Sequence, residues 1–223
     1  EQRSCKDLTE VVEKLNGNPP AMIRDLSHHI NDEARHAMWL TDLLIDIGGP
    51  LDTPPGVSYI DEFERLIDSE TNSNPEDDLI AALAAINVTE KRGCEYFSAH
   101  IHALKSAPQT AENIKIRETI EKIFPEETAH VRWGNKQLAQ IAAKSPAHRQ
   151  KVEAAKHKYI AIEQAAYESG IDIMFRAQRR RDKNLMDVVN TLPLWQRPQY
   201  LMARLPETIL DPKLQEVRIS AAQ

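Results

Sequence analysis

Asp32-Glu33-Ala34-Arg35-His36 and Glu126-Glu127-Thr128-Ala129-His130 are two copies of one acidic pattern in a chain of 223 residues. Each copy contains Glu-x-x-His, and each is followed three residues later by a tryptophan, Trp39 or Trp133. Residues three apart on a helix share a face, one turn apart. A carboxylate and an imidazole at this spacing can therefore reach the same metal ion.

A second pattern also occurs twice. Glu1-Gln2-Arg3-Ser4-Cys5 and Glu90-Lys91-Arg92-Gly93-Cys94 both read Glu-x-Arg-x-Cys, and together they hold both cysteines of the chain. Along the chain the order is then Glu, Glu-x-x-His, Glu, Glu-x-x-His. This order is the ligand set of a two-metal carboxylate site in a ferritin-like four-helix bundle. The predicted ligands are Glu1, Glu33, His36, Glu90, Glu127 and His130.

The turns support the same pairing of segments. Residues at equal depth in an antiparallel helical hairpin lie symmetrically about its turn. The midpoint in sequence between Glu1 and Glu33 is Gly17, within the turn segment Asn16-Gly17-Asn18-Pro19-Pro20. The midpoint between Glu90 and Glu127 falls between Pro108 and Gln109. Each pair is therefore expected to be level across its own turn.

The composition predicts an all-α protein. Aromatic residues are only 5% of the chain, Gly totals 7, and alanine-rich segments are separated by prolines. The long connection from about 48 to 75 carries its own short helix and lets the chain cross the length of a bundle before the third long helix. We expect one ferritin-like helical domain over 1–183, with a four-helix core over about 1–144 and a fifth helix over about 146–181. A Pro-interrupted extension, 184–223, should pack on the same domain.

Two further carboxylates precede the predicted ligand glutamates. A ligating histidine usually donates its other ring N–H to a carboxylate or carbonyl. We therefore predict that Asp32 supports His130 and that Glu126 supports His36, across the bundle. The alternative is ordinary charge on the helix surface.

Four other side chains lie near the predicted ligands in sequence. Cys5 and Cys94 stand one turn from Glu-x-Arg-x-Cys glutamates, where they line a substrate or oxygen pocket or serve as small core residues. Antiparallel first and third long helices would place them on opposite sides of the metals, without a disulfide. His29, four residues before a ligand, is interpreted as an ordinary helix histidine, with proton donation near the site as the alternative. For Arg92 a solvated position is favoured over pairing with a bundle carboxylate.

Charge and hydropathy limit the partners. The net charge is −6, although residues 148–183 hold nine Lys and Arg against five Asp and Glu. This charge differs from the strongly positive net charge of a wholly basic nucleic-acid-binding protein. No stretch approaches the roughly 20 apolar residues of a membrane span, and two cysteines outside a small secreted scaffold favour the reducing cytoplasm. A ligand at position 1 would require residues before it, so an upstream targeting segment stays open.

The pattern resembles the ferritin-like di-iron superfamily over about residues 1–144. Within it, Glu90-Lys91-Arg92-Gly93-Cys94-Glu95-Tyr96-Phe97 is similar to the helix signature of hydroxylases that modify a hypermodified adenosine beside the tRNA anticodon. The stretches Asp32–His36 and His130–Asn135 look more like an uncharacterised bacterial ferritin-like family. The superfamily resemblance implies a di-iron centre that reacts with dioxygen.

The leading hypothesis is a di-iron oxidase or monooxygenase, with two Fe ions, or Mn or mixed Mn/Fe, as cofactors. Its partners would be dioxygen, a reductant or electron-donor protein, and a small molecule or modified nucleoside; a homodimer is possible. The first alternative is a ferroxidase or iron-binding protein without an organic substrate. The second is a helical interaction protein without metal.

Overall fold

The computed structural model describes residues 1–49, 59–67 and 74–208, with side chains 169–185, 187–188 and 203–208 left undescribed. Every regular element in this part of the chain is a helix, so the all-α prediction is confirmed. The predicted Pro-rich loop, most of the polar gap before Pro75 and the end of the tail lie outside the described residues. The helices are α1 (Gln2–Lys14), α2 (Pro20–Asp46), α3 (Tyr59–Ile67), α4 (Pro75–Ser106), α5 (Ala111–Ala142), α6 (Pro146–Thr191) and α7 (Arg197–Thr208).

Turn and cap residues lie at the helix boundaries that the sequence predicts. Asn16 and Gly17 have left-handed φ angles of 47° and 86°, which turn the chain between α1 and α2. Asn74 caps α4 by accepting a hydrogen bond from the Glu76 N–H at 3.0 Å. Thr110 caps α5 by accepting from the Asn113 N–H at 3.1 Å. The ends of the long helices are thus specified locally.

Two helices run through positions where the sequence suggested a change. Helix α5 continues through Pro125, although proline removes one backbone hydrogen-bond donor. The next helix, α6, extends to Thr191, beyond the predicted end near Arg181. No Gly or Pro follows Arg181 until Pro193, so nothing local stops the helix earlier.

The chain divides into two units. One comprises residues 1–54 and 70–163, and it contains α1, α2, α4, α5 and the first part of α6; the other comprises 55–69 and 164–223. The core of the first unit is one apolar cluster to which all five of these helices contribute. Its buried members are Leu8, Met22, Leu26, Ile80, Leu83, Leu138, Ile141 and Val152.

Contacts along the helices fix their directions. The Cys5 Sγ lies 3.8 Å from the Ile30 carbonyl oxygen, while Glu1 faces His36, so α1 and α2 are antiparallel.

The other two helix pairs are also antiparallel. Asn87 donates to the Val131 carbonyl at 2.9 Å and Lys105 pairs with Glu121 at 3.0 Å, so α4 and α5 are antiparallel. Between α2 and α5, Trp133 contacts Asp25 and Lys115 contacts Asp46, which again is antiparallel. It follows that α1 is antiparallel to α4, and α2 is parallel to α4.

A partly buried ion pair joins α6 to α4 inside the first unit. The Arg92 guanidinium donates to both carboxylate oxygens of Glu163, at 2.6 and 3.0 Å, and also to Glu95 at 2.6 Å. The Arg92 side chain is only 15% exposed and that of Glu163 only 10%. The favoured solvated position for Arg92 is therefore wrong: the helix periodicity did not reveal that α6 brings a buried carboxylate to this face.

In the second unit, the Tyr59 and Phe63 rings of α3 lie 6.2 Å apart, and Phe63 is buried. Across the described ranges of both units, no helix is both long enough and apolar enough to cross a bilayer.

Candidate metal centre

Seven acidic and imidazole side chains from α1, α2, α4 and α5 converge inside the first unit, and they form two groups that share Glu33. In each group, the possible ligand atoms all lie within 4.8 Å of one another. The two-histidine group consists of His29, Glu33, Glu90 and His130, and the one-histidine group consists of Glu1, Glu33, His36 and Glu127. All six residues predicted from the sequence are therefore brought together, and one more, His29, joins them.

The two-histidine group is buried throughout. The His29 Nε2 lies 3.0 Å from Glu90 Oε1 and 3.4 Å from Glu33 Oε1. The His130 Nδ1 lies 3.4 Å from Glu33 Oε1 and 3.6 Å from Glu90 Oε2. The two imidazole rings stack with centroids 3.6 Å apart. Two nitrogens and two carboxylates thus surround one small volume.

The one-histidine group is richer in oxygen. The His36 Nδ1 lies 2.8 Å from Glu127 Oε1, 3.8 Å from Glu1 Oε2 and 3.9 Å from Glu33 Oε1. His36 is fully buried, while the Glu1 side chain keeps 17% exposure at the start of α1. One imidazole and three carboxylates therefore face each other here.

The outer nitrogens of the two Glu-x-x-His imidazoles contact carboxylates from the opposite helix. Asp32 Oδ2 lies 3.3 Å from His130 Nε2, and Glu126 Oε2 lies 2.7 Å from His36 Nε2. These are the crossed contacts expected from the sequence. Each carboxylate can accept the outer N–H of its imidazole, so that Nδ1 is the ring nitrogen that faces the cluster and is available to an ion.

A single guanidinium connects the two outer carboxylates. The Arg35 Nη2 lies 2.8 Å from Asp32 Oδ1 and 2.6 Å from Glu126 Oε2. Beside it, the Trp39 ring carries the Lys122 ammonium 3.4 Å from its centroid. Sequence reasoning did not identify this bridge, although the i,i+3 spacing of Asp32 and Arg35 is a signal for half of it.

The electrostatics of the cluster show a shortage of positive charge. Burial, reinforced by Glu33, raises the pKa of Glu1 to about 9. Burial also raises the pKa of Glu127 to about 7, against the opposing effect of His36. Burial disfavours the charged form of His130, but the nearby Glu33 and Glu90 carboxylates outweigh it and raise that pKa to about 10. Protons therefore compensate the carboxylates when no other cation does.

The remaining carboxylates stay ionised. Burial favours the neutral form of Glu33, but contacts with His130 and His29 outweigh it and hold its pKa below the usual range. The same two histidines lower the pKa of Glu90 against its burial. The outer carboxylates Asp32 and Glu126 also have lowered pKa values, because their imidazole and Arg35 contacts outweigh partial burial.

Several atoms that face the cluster lack a hydrogen bond of acceptable geometry among the described residues. They are His36 Nδ1, His130 Nδ1, Glu33 Oε1 and Glu127 Oε1. Buried polar atoms normally have a partner, and an ion is one explanation where they do not. Carboxylate oxygens with imidazole nitrogens suit divalent transition metals. The buried His and Glu groups could therefore hold a metal ion.

The two cysteines border the cluster without joining either group. Both are free thiols. Burial, together with Glu127 and Glu90, raises the pKa of Cys94 to about 11, and burial with Glu33 raises that of Cys5. Both thiols therefore stay protonated. Cys5 lines an open groove of about 380 Å³ between α1 and α2, together with Gln2, Ala34, Ala37, Met38, Thr41 and Asp42.

His29 is the one member of the two groups that was not predicted as a ligand from the sequence. Its spacing of four before Glu33 places it on the ligand face of α2, but that spacing is equally common for a core histidine. Aligning the two repeats shows what distinguishes His29. The pattern His29-x-x-x-Glu33-x-x-His36 corresponds to Ile123-x-x-x-Glu127-x-x-His130, so the repeat is polar at this position in one copy only.

Comparison with known proteins adds no relative: no family model, curated protein or solved structure matches the chain.

Proposed function

We propose that the protein binds two divalent metal ions, iron in the first place, and acts as an oxygen-activating oxidase or hydroxylase of the ferritin-like di-iron kind. The observation that carries this proposal is the position of Glu33. It is almost completely buried and belongs to both groups of possible ligands. A carboxylate with two oxygens is suited to link two adjacent cations.

Charge supports two ions rather than one. The cluster contains four carboxylates, and two divalent cations would carry the four positive charges that balance them. Without such ions, protons on Glu1, Glu127 and His130 would supply part of this compensation, because burial or neighbouring carboxylates raise the pKa of each group. Metal ions would displace those protons on binding.

The directions of the helices support the ferritin-like assignment. In the described chain, α1 and α2 form one antiparallel pair and α4 and α5 form another, with α2 parallel to α4. Parallel second and third members of a bundle require a long connection, as in ferritin-like folds. Glu-x-x-His on α2 and α5, with a glutamate on α1 and α4, is the corresponding ligand arrangement.

The metal pair, when bound, would supply the electrons that reduce dioxygen. The protein's own side chains would fix the geometry. Asp32 and Glu126 hold the outer imidazole protons, Arg35 holds both carboxylates in place, and the buried walls of the cluster limit access of water. The substrate would be a small organic molecule or a modified nucleoside, as the resemblance of Glu90–Phe97 to the tRNA hydroxylases suggests.

A ferroxidase without an organic substrate is the second candidate. The groove beside Cys5 is lined by none of the seven possible ligands. A substrate bound there would not touch the cluster directly, and this favours iron itself as the substrate. Under this alternative, iron oxidation would continue beyond two ions per chain and leave ferric product in solution or as mineral.

The test is anaerobic loading with Fe(II), removal of loose metal, and admission of air while absorbance and EPR are recorded. We expect about two iron ions per chain and a ferric signal that appears only with oxygen. Further turnover should require a reductant, and oxygen uptake should increase with a true substrate. Continued oxidation of added Fe(II) without reductant would favour the ferroxidase, whereas absence of bound iron or manganese would overturn both candidates.

A matched control is available within the chain. Glu127→Ala and His36→Ala remove predicted ligands and should lose one ion or both. His28→Ala removes an exposed histidine from the same helix and should retain both. Full metal content in the two ligand variants would refute the ligand assignment.

A further inference from the structure

His29 makes the two halves of the cluster chemically unequal. Its Nε2 lies 3.0 Å from Glu90 Oε1 and 3.4 Å from Glu33 Oε1, and its side chain is only 3% exposed. Ligand atoms at about 2.0–2.2 Å from one ion lie no more than about 4.4 Å from each other. The four possible ligand atoms of the two-histidine group meet nearly this spacing, since all lie within 4.8 Å of one another.

The one-histidine group has no counterpart of His29. The equivalent position on α5 is Ile123, which is fully buried and apolar. Its fourth member is instead a third carboxylate, since Glu1, Glu33 and Glu127 all face His36. One group therefore offers two nitrogens and two carboxylates, and the other offers one nitrogen and three carboxylates.

This difference in ligand atoms should give the two groups different affinities for each divalent ion. Affinity generally rises from Mn²⁺ through Fe²⁺ to Co²⁺, and imidazole suits the later ions whereas carboxylate suits Mn²⁺. We propose that His29 is a seventh metal ligand, which makes the two-histidine group bind the later transition ion more tightly than the one-histidine group does. When the later ion is limiting and Mn²⁺ is also present, the later ion fills the two-histidine group, Mn²⁺ fills the one-histidine group, and the centre assembles as a mixed pair. This inference rests on the proposed two-metal function and specifies the order and identity of loading.

Two neighbouring aromatic rings hold the His29 imidazole in place. Its ring stacks on His130 at 3.6 Å and meets the Trp133 ring edge-on at 6.3 Å. Trp133 is in turn fixed by donating to Asp25 at 3.2 Å. The imidazole is therefore oriented by two rings while its Nε2 faces two carboxylates.

The experiment uses Mn(II) and Co(II) as probes, without oxygen, at one equivalent of each ion per chain. Metal content, the Mn(II) EPR signal and the visible absorption of Co(II) would be measured on the full chain. Anomalous diffraction at the two metal edges would locate each ion. The wild type should hold one cobalt and one manganese, with cobalt between His29 and His130.

Three variants separate the role of His29 from a merely structural one. His29→Ala should weaken cobalt binding roughly tenfold or more and abolish the preference between the two groups. His29→Gln keeps a polar side chain of similar size, so it provides the same test if the alanine variant does not fold. His28→Ala, on the adjacent exposed position, should behave as the wild type.

The outcomes distinguish this inference from the proposed function. Two ions in every variant with unchanged cobalt and manganese positions would overturn the role of His29 and leave the two-metal function intact. A wild type that binds neither probe would overturn both. Loss of cobalt selectivity in both His29 variants, with circular dichroism like that of His28→Ala, is the result that supports the proposal.

Discussion

The Glu-x-x-His segments of α2 and α5 make equivalent contacts, but the side chains around them differ. Both imidazoles point Nδ1 into the cluster and Nε2 toward a carboxylate of the opposite helix. Only α2 adds His29 on the inside and Arg35 on the outside; the matching α5 positions are Ile123 and Ala129. A duplicated motif therefore gives two groups that are similar in geometry and different in chemistry.

The largest effect is expected from Glu33, because it is the one member common to both groups. Glu33→Gln removes the shared negative charge with little change of size. It should reduce metal content from two ions per chain to nearly none, whereas Glu127→Gln should mainly affect the one-histidine group. Metal analysis after dialysis would check this, and two retained ions in Glu33→Gln would contradict the sharing.

The pH dependence of the metal-free protein should be nearly as large. Folding raises the pKa of Glu1 from 4.5 to about 9, of Glu127 from 4.5 to about 7 and of His130 from 6.5 to about 10. Between these limits the folded state binds more protons than the unfolded state, so stability falls as pH rises. We expect the melting temperature with chelator to fall continuously from about pH 5 to about pH 10.

Bound metal should reverse this trend. Because binding displaces the same protons, the gain in melting temperature from Mn²⁺ should increase over that pH range. Thermal melts with and without metal across the range would test both statements. A gain that decreases above neutral pH, in the absence of metal hydroxide, would contradict the assigned groups.

The outer carboxylates provide a finer comparison between the two groups. Glu126→Gln should weaken the ion of the one-histidine group, and Asp32→Asn that of the two-histidine group, each by roughly 10–100-fold. The Glu126 contact is shorter, 2.7 Å against 3.3 Å, so its loss should have the larger effect. Titration with Mn²⁺ would resolve the two steps, and equal weakening of both steps in each variant would show that the crossed contacts are not specific.

Much of this centre follows from local patterns, and the rest depends on packing. The level pairs of glutamates and the crossed contacts of Asp32 and Glu126 with the two imidazoles could be predicted, because helix periodicity and turn position determine them. The buried Arg92–Glu163 pair could not, since it depends on where α6 lies. His29 lay between these cases: its face was predictable, but its partner Glu90 comes from α4.

The smallest effect on metal content should come from Gly134. A Cβ there would lie 2.7 Å from Asn87 Nδ2, an atom that donates to the Val131 carbonyl between α4 and α5. Gly134→Ala should cost about 1–3 kcal/mol of unfolding free energy through overpacking. Denaturant melts would measure the cost, and metal content should stay at two ions. A loss of metal larger than that in Glu126→Gln would mean that this helix contact controls the centre.

The most direct test of the central claim is the number and position of divalent ions in the wild-type chain after anaerobic loading with Fe(II) or Mn(II). We predict two ions per chain, about 3.5–4 Å apart, on either side of Glu33. A chain that binds no ion, or binds ions only away from Glu33, would contradict it.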